Sequence, residues 1–339
     1  MKVVTKDILS VLSKVKPGLA KIGLVEQFMH FLFTGEDVIT YSDKISVSHP
    51  FQSDVVCSVR AVELYKIILG ISEPEFDMTL EGDKLRIKAK GTRASITISF
   101  DQQSIDLVKS FELKKVDWSP LPDNFNKGIL LCTFSASRDV SQSFLHCILV
   151  KGDKLVSSDN LRVSRFILNG RIKGKYLLPL SSAIELGKFN VIEYNVAHSW
   201  VHFRDADGVM FTSRIVLGEY PNVDSFFDVV DTGVEMIIPA QLKDILDTMT
   251  VMTGDQSVLD KNVSLSVIKG KMICRGESKI GWLEKEIEIA YTGEEFSFDV
   301  NPFFFFQVLE LDGISKMSLF GDRALFIHES FQHIMALPI

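Results

Sequence analysis

Along most of the chain, apolar and polar residues alternate in short runs, the pattern of half-buried strands. Six stretches break it with apolar residues recurring every three to four positions, which predicts six short helices. They come in two kinds. VTKDILSVLSKV, LPDNFNKGILLCTFSASR and IPAQLKDILDTMTVMTG align at Val4, Pro122 and Pro239. CSVRAVELYKIIL, LLPLSSAIELGKF and FDVNPFFFFQVLEL align at Val59, Pro179 and Val300. Between them lie predicted hairpins whose turn glycines, Gly35, Gly152 and Gly270, are 117 and 118 residues apart. A strand pair closes each set, with Gly82, Ala197 and Gly321 at matching turns. All anchors give one period, close to 339/3 = 113 residues with short connections. The expected organisation is three tandem domains of one α+β architecture, each with two helices packed on antiparallel sheets. Their expected bounds are 1–116, 117–232 and 233–339, with connections near Lys114–Pro120 and Asp228–Gly233.

Composition narrows the classes. At 46% hydrophobic and 24% charged residues the chain is an ordinary globular one. No apolar run is long enough to span a bilayer, and the amphipathic start, MKVVTKDILSVLSKVK, lacks the apolar core of a leader peptide. A cytoplasmic protein with no membrane partner is expected. Cys57, Cys132, Cys147 and Cys274 form no C-x-x-C pair, which fits a reducing compartment. The net charge of −7 does not advertise a nucleic-acid binder. A net sum hides geometry, however, because basic residues gathered on one face can still meet phosphate.

Enzymatic motifs are missing. There is no G-x-x-x-x-G-K-[ST], G-x-G-x-x-G or G-x-S-x-G string. His198 and His202 are four apart, but VAHSWVHFRD alternates as a strand and offers no third ligand nearby, so no metal site is expected. His146 and Cys147 are strand neighbours pointing to opposite faces, which disfavours a nucleophile pair. Phe303–Phe306 is expected to be a helix buried under its sheet. Neither a cofactor nor a catalytic site is expected.

Four strings carry a family resemblance: LVSSDNLRVSR, FTSRIVLGEYPN, the helix start SVRAVELY and the chain end HIMALPI. With the threefold repeat, their order and spacing resemble the sliding clamp of bacterial replicative DNA polymerase, the polymerase III β subunit. The resemblance covers the whole chain and is strongest in the middle third. It implies a DNA-replication processivity factor in which two copies join head to tail as a homodimeric ring of six domains around duplex DNA. It also implies a replicative DNA polymerase and a clamp loader ATPase as partners, the loader carrying the ATP chemistry.

The same resemblance distributes residues among roles. DNA-facing positions on or beside the helices are Lys14, Lys16, Lys21, Arg60, Lys66, Lys127, Arg138, Lys188 and Lys243. An apolar groove for partner peptides falls on Ser158, Asn160, Leu161, Arg162, Val163, Pro221, Ser225, Phe226, Met335, Leu337 and Pro338. The dimer interface is expected at Ile96 and Ile98 of an edge strand, against Val251 and Met252. Asn160 and Leu161 stand where the family usually has Gly and His, and Pro338 follows a Leu without the usual basic residue beyond it. A different peptide preference is therefore expected, as would suit a divergent or virus-encoded clamp. The competing reading is a three-domain structural or assembly protein of a virus, with neither a basic face nor a peptide groove.

Overall fold

The computed structural model of the protein describes residues 1–20, 25–99, 117–228, 233–252, 257 and 260–338. Lys21 and parts of both expected connections lie outside the described residues. The six expected helices are present: α1 (Thr5–Val15), α2 (Ala61–Leu69), α3 (Phe125–Thr133), α4 (Leu180–Leu186), α5 (Leu242–Thr250) and α6 (Pro302–Leu309). Two fall in each third of the chain, and α1 packs beside α2 as α5 packs beside α6.

Each helix follows from its residues. In α1, Ile8, Val11, Leu12 and Val15 are buried at the spacing of one helical face. Asp7 in its first turn and Lys14 in its last complement the helix dipole. At α6 the Asn301 side chain accepts from the Phe303 and Phe304 amides at 3.1 and 3.3 Å, and Pro302 occupies the first turn. An Asn cap followed by Pro satisfies or removes amides that would otherwise be unpaired. The aromatic run beyond it is one-sided. Phe304 and Phe305 are buried, whereas Phe303 is exposed and Phe306 meets Lys243.

By its contacts the chain forms two compact units, residues 1–127 with 169–218, and 128–168 with 219–339. In the first, an eight-stranded sheet joins strands of the first and middle thirds: Ile45–Pro50 pairs antiparallel with Met210–Arg214, Ile45 opposite Ser213. A four-stranded sheet runs Lys2–Val4, Glu75–Glu81, Lys84–Ala89, Thr92–Thr97. There Leu85 and Ile87 turn inward while Lys84, Arg86 and Lys88 face solvent, the two-residue period of a strand. In the second unit, a six-stranded sheet joins the middle and last thirds, with Arg162 opposite Met335 and Phe166 opposite Phe331. Its companion sheet runs Gly281–Glu288, Lys271–Ser278, Val263–Ile268, Phe296–Val300. The core between these layers gathers Leu242, Leu246 and Met249 of α5, Phe304, Phe305 and Val308 of α6, and Met335 and Leu337 near the chain end.

Backbone conformation is shared at the matched glycines. Gly35, Gly152 and Gly270 all have positive φ, at 96°, 60° and 79°, where a side chain would be strained, although Gly152 falls within the strand Cys147–Ser158 and not in a separate turn. At the second turn the glycines Gly82 and Gly321 are matched by His198, φ 53°, and not by Ala197, which still belongs to the strand Val191–Ala197.

Candidate functional site

The first unit brings together several of the expected DNA-facing cations and separates others. Lys16, Lys66 and Lys188 edge one cleft of about 580 Å³, formed by the end of α1, the outer face of α2 and the end of α4. Lys16 Nζ lies 3.0 Å from the centre of the Tyr65 ring, and the Tyr65 hydroxyl shares a 3.0 Å hydrogen bond with Ser13 Oγ. That bond, with help from Lys16, holds the Tyr65 phenol below its usual pKa. Lys188 pairs with Glu185, one turn away. Lys66 is exposed at the cleft edge.

Lys14 and Arg60 are engaged elsewhere. Lys14 lies 3.6 Å from Asp205 and 3.5 Å from Asp207. Asp205 is buried and accepts from the Asp207 and Val209 amides, so Lys14 caps a loop. Arg60 is held by Glu26 and Glu63 at 3.1 and 3.6 Å. Lys127 is exposed on α3. In the second unit Arg138 is exposed, and Lys243 pairs with Glu310 at 3.5 Å.

The expected peptide groove lies wholly in the second unit and centres on a buried cation. Arg162 is only 5% exposed. Its Nε and Nη2 donate to Asp159 Oδ2 at 3.0 and 2.8 Å, Nη1 donates to Gln307 Oε1 at 2.6 Å, and Nη2 also donates to the Phe134 carbonyl at 3.0 Å. The guanidinium lies 4.2 Å from the centre of the Phe304 ring. Burial lowers its pKa and Asp159 opposes that shift. A guanidinium stays charged regardless.

Asp159 Oδ1 meanwhile accepts the Leu161 and Arg162 amides at 3.1 and 2.9 Å. This turn forces Asn160 to φ 73°. Asn tolerates the left-handed region better than most residues. Leu161 is presented outward, and its carbonyl accepts from the Ala336 amide at 2.8 Å.

The remaining groove residues divide. Val163, Met335 and Leu337 are buried, Met335 and Leu337 as members of the core. Ser158 is buried, its hydroxyl accepting from the Asn160 amide at 3.2 Å. Pro338 is half-buried. Pro221 and Ser225 are exposed, and Phe226 lies under Arg323 at 4.9 Å. Sequence reasoning missed four groups that hold Arg162: Asp159, Phe134, Phe304 and Gln307. Only Asp159 left a local signal, as the first residue of an Asx turn. Tyr65, at the centre of the lysine cleft, was missed too.

For the expected interface, Ile96 and Ile98 are half-buried in or just past Thr92–Thr97, the last strand of its sheet among the described residues. Val251 is 70% exposed at the end of α5, and Met252 is half-buried. No group of three metal-ligating side chains occurs among the described residues. His202 is buried against Thr212 Oγ1 at 2.9 Å, and His198 sits in the turn. Among the described residues no helix is long and apolar enough to cross a membrane.

Two helices per repeat, repeated three times and backed by antiparallel sheets that join successive thirds, define the three-domain clamp fold. Comparison with known proteins places that fold among DNA polymerase III β subunits. The structure aligns with the β chain of Streptococcus pneumoniae at a TM-score of 0.85 and 15% identity, covering 100% of this chain and 99% of that one. It aligns with the β subunit of Streptococcus pyogenes at 0.86 and 14%, covering 99% of each, and with that of Thermotoga maritima at 0.82 and 16%, covering 100% and 98%. In sequence, the β sliding clamp of Chlamydia pneumoniae is 16% identical over 291 residues, 82% of this chain and 78% of that protein. No protein-family model matches the chain.

Proposed function

We propose that this protein is a DNA sliding clamp: a non-catalytic processivity factor that closes head to tail with a second copy around duplex DNA. It tethers a replicative polymerase, and a loader ATPase opens or places the ring. The observation that carries the reading is fold similarity over essentially the full length of both chains, with TM-scores of 0.82 to 0.86. The domain bounds 1–116, 117–232 and 233–339 belong to this reading, as does a cytoplasmic setting.

The physical logic is simple. A clamp must hold DNA without stopping on any sequence, so it needs phosphate contacts and no base-edge contacts in the grooves of the duplex. Lysines on helix faces provide them, and counterion release makes the grip salt-dependent. An overall net charge of −7 disfavours DNA elsewhere on the surface. Partners would engage the Asp159–Arg162 turn and the chain end, where outward Leu161, Pro221 and Phe226 border the Met335 and Leu337 core. Apolar anchors in such a place dominate peptide recognition.

Closure would pair edge strands. Thr92–Thr97 has Lys84, Arg86 and Lys88 on the strand beside it, whereas Gly281–Glu288, the end strand of its own sheet among the described residues, carries Glu284, Glu286 and Glu288 and lies beside Met252 at the end of α5. Oppositely charged edges favour a head-to-tail contact over edge-to-edge self-pairing. Native mass at micromolar concentration tests this. A species of two 38.1 kDa chains is expected, and a monomer at every concentration would return the chain to the structural-protein reading.

A further inference from the structure

The exposed face of α2 is unusual for a surface that should meet only phosphate. Val62 is 59% exposed and Leu69 60% exposed, and both share that face with Tyr65 and Lys66. These positions are three to four residues apart, so they form one stripe along the helix. Its Val62, Tyr65 and Lys66 line the cleft of about 580 Å³ edged by Lys16 and Lys188, with Leu69 beyond it and Glu185 the one carboxylate lining it among the described residues. That volume lies within the roughly 300–1,000 Å³ of sites that enclose flat organic ligands, far more than a phosphate group needs. A neighbouring cleft of about 420 Å³ is a poor anion site, because Asp205 and Asp207 already take Lys14 there.

We propose that the α2 cleft binds unpaired nucleotides of single-stranded DNA, with bases against Val62 and Tyr65 and phosphates on Lys16, Lys66 and Lys188. This extends the DNA reading to a second form of the ligand, but it does not depend on the ring. The Tyr65 ring is anchored at its hydroxyl by Ser13 and covered on one face by the Lys16 ammonium. A base arriving on that face takes the place of Lys16 and releases the ammonium to the adjoining phosphate. Aromatic platforms edged by lysines hold single strands in this sequence-tolerant way. A duplex offers its backbone to the lysines but keeps its base faces stacked inside, so it leaves the apolar stripe unused.

The test is fluorescence anisotropy with labelled oligo-dT and a matched duplex at several salt concentrations. Wild type is compared with Val62→Trp, Tyr65→Ala and the double variant Lys66→Glu/Lys188→Glu. Val62 and Lys66 are exposed, and unchanged melting temperature and native mass serve as folding controls. Tyr65→Ala is expected to weaken oligo-dT binding about tenfold, in keeping with the loss of one stacked base, while duplex affinity is unchanged. Val62→Trp, which crowds the cleft, is expected to do the same without altering the salt slope. The double lysine variant should flatten the single-strand slope by about 1.4, two contacts at ~0.7 each. Equal effects of Tyr65→Ala or Val62→Trp on single strand and duplex, an unchanged Tyr65→Ala affinity, or no oligo-dT binding by wild type at low salt would each overturn the proposal. Retention of wild type and Val62→Trp on circular duplex DNA separates the two readings. Loss of retention in both, with oligo-dT binding intact in wild type and weakened by Val62→Trp, removes the ring and leaves this site standing.

Discussion

Lys66 and Arg162 are both expected site cations, and they sit in opposite circumstances. Lys66 is exposed at the edge of an open cleft among other lysines. Arg162 is buried, bonded to a carboxylate, an amide oxygen and a carbonyl, and covered by Phe304. A cation whose hydrogen bonds are complete has little left to offer a ligand, whereas one at a cleft edge costs little to redirect. Lys66 is therefore free to turn toward a ligand outside the molecule, as Lys14 and Arg60, held by carboxylates, are not. The charge at the heart of the second unit holds the turn that presents Leu161 and fastens the chain-end strand.

The comparison sharpens under mutation. Arg162→Ala takes the guanidinium from half-buried Asp159 and Gln307 and from the Phe134 carbonyl, so it should cost about 3–5 kcal/mol, read as a lower urea midpoint at unchanged slope. Lys66→Ala should stay within about 0.5 kcal/mol. Equal losses from the two would erase the distinction. A smaller loss, about 1–2 kcal/mol, is expected for Asn160→Val, because a β-branched side chain cannot hold φ 73° without strain. Asn160→Gly should be within about 0.5 kcal/mol of wild type, since glycine takes that conformation freely.

Acidity provides a gentler probe of both units. Burial lowers His202 in the first unit from 6.5 to about 4. In the second unit burial, with Arg162 nearby, holds His333 well below its usual value. Both are neutral when folded at neutral pH. On unfolding below pH 6.5 each takes up a proton, so the unfolded state binds more protons in that window. Their stabilising contribution is complete above about pH 6.5 and declines as pH falls toward 4. Chemical-denaturation midpoints across that range should drop, and replacing His202 with Gln should flatten the decline. A flat profile in wild type would contradict the neutral, buried assignment.

Most of the architecture was legible in the sequence because it rests on local rules. Apolar residues at helical spacing marked the helices, and glycines marked most of the turns. His198 escaped notice because a left-handed residue need not be glycine. The run Phe303–Phe306 was read as buried throughout, yet a helix surface turns 100° per residue, so four consecutive side chains cannot share one environment. The surroundings of Arg162 were illegible for another reason: Gln307 is 145 residues away, and only the folded sheet brings it near. Nor did any local pattern announce that Lys14 and Arg60 are neutralised by carboxylates while Lys16 faces a tyrosine.

The most direct measurement of the central claim is topological. The protein is placed on nicked circular duplex DNA with its loader, and bound and free fractions are separated before and after a single cut linearises the circle. A clamp stays with the circle at a salt concentration that dissolves simple lysine–phosphate contacts, and it leaves within minutes of linearisation. Retention that ignores the cut, or loss from the intact circle at the same rate as from a line, would contradict a ring that holds DNA by enclosing it.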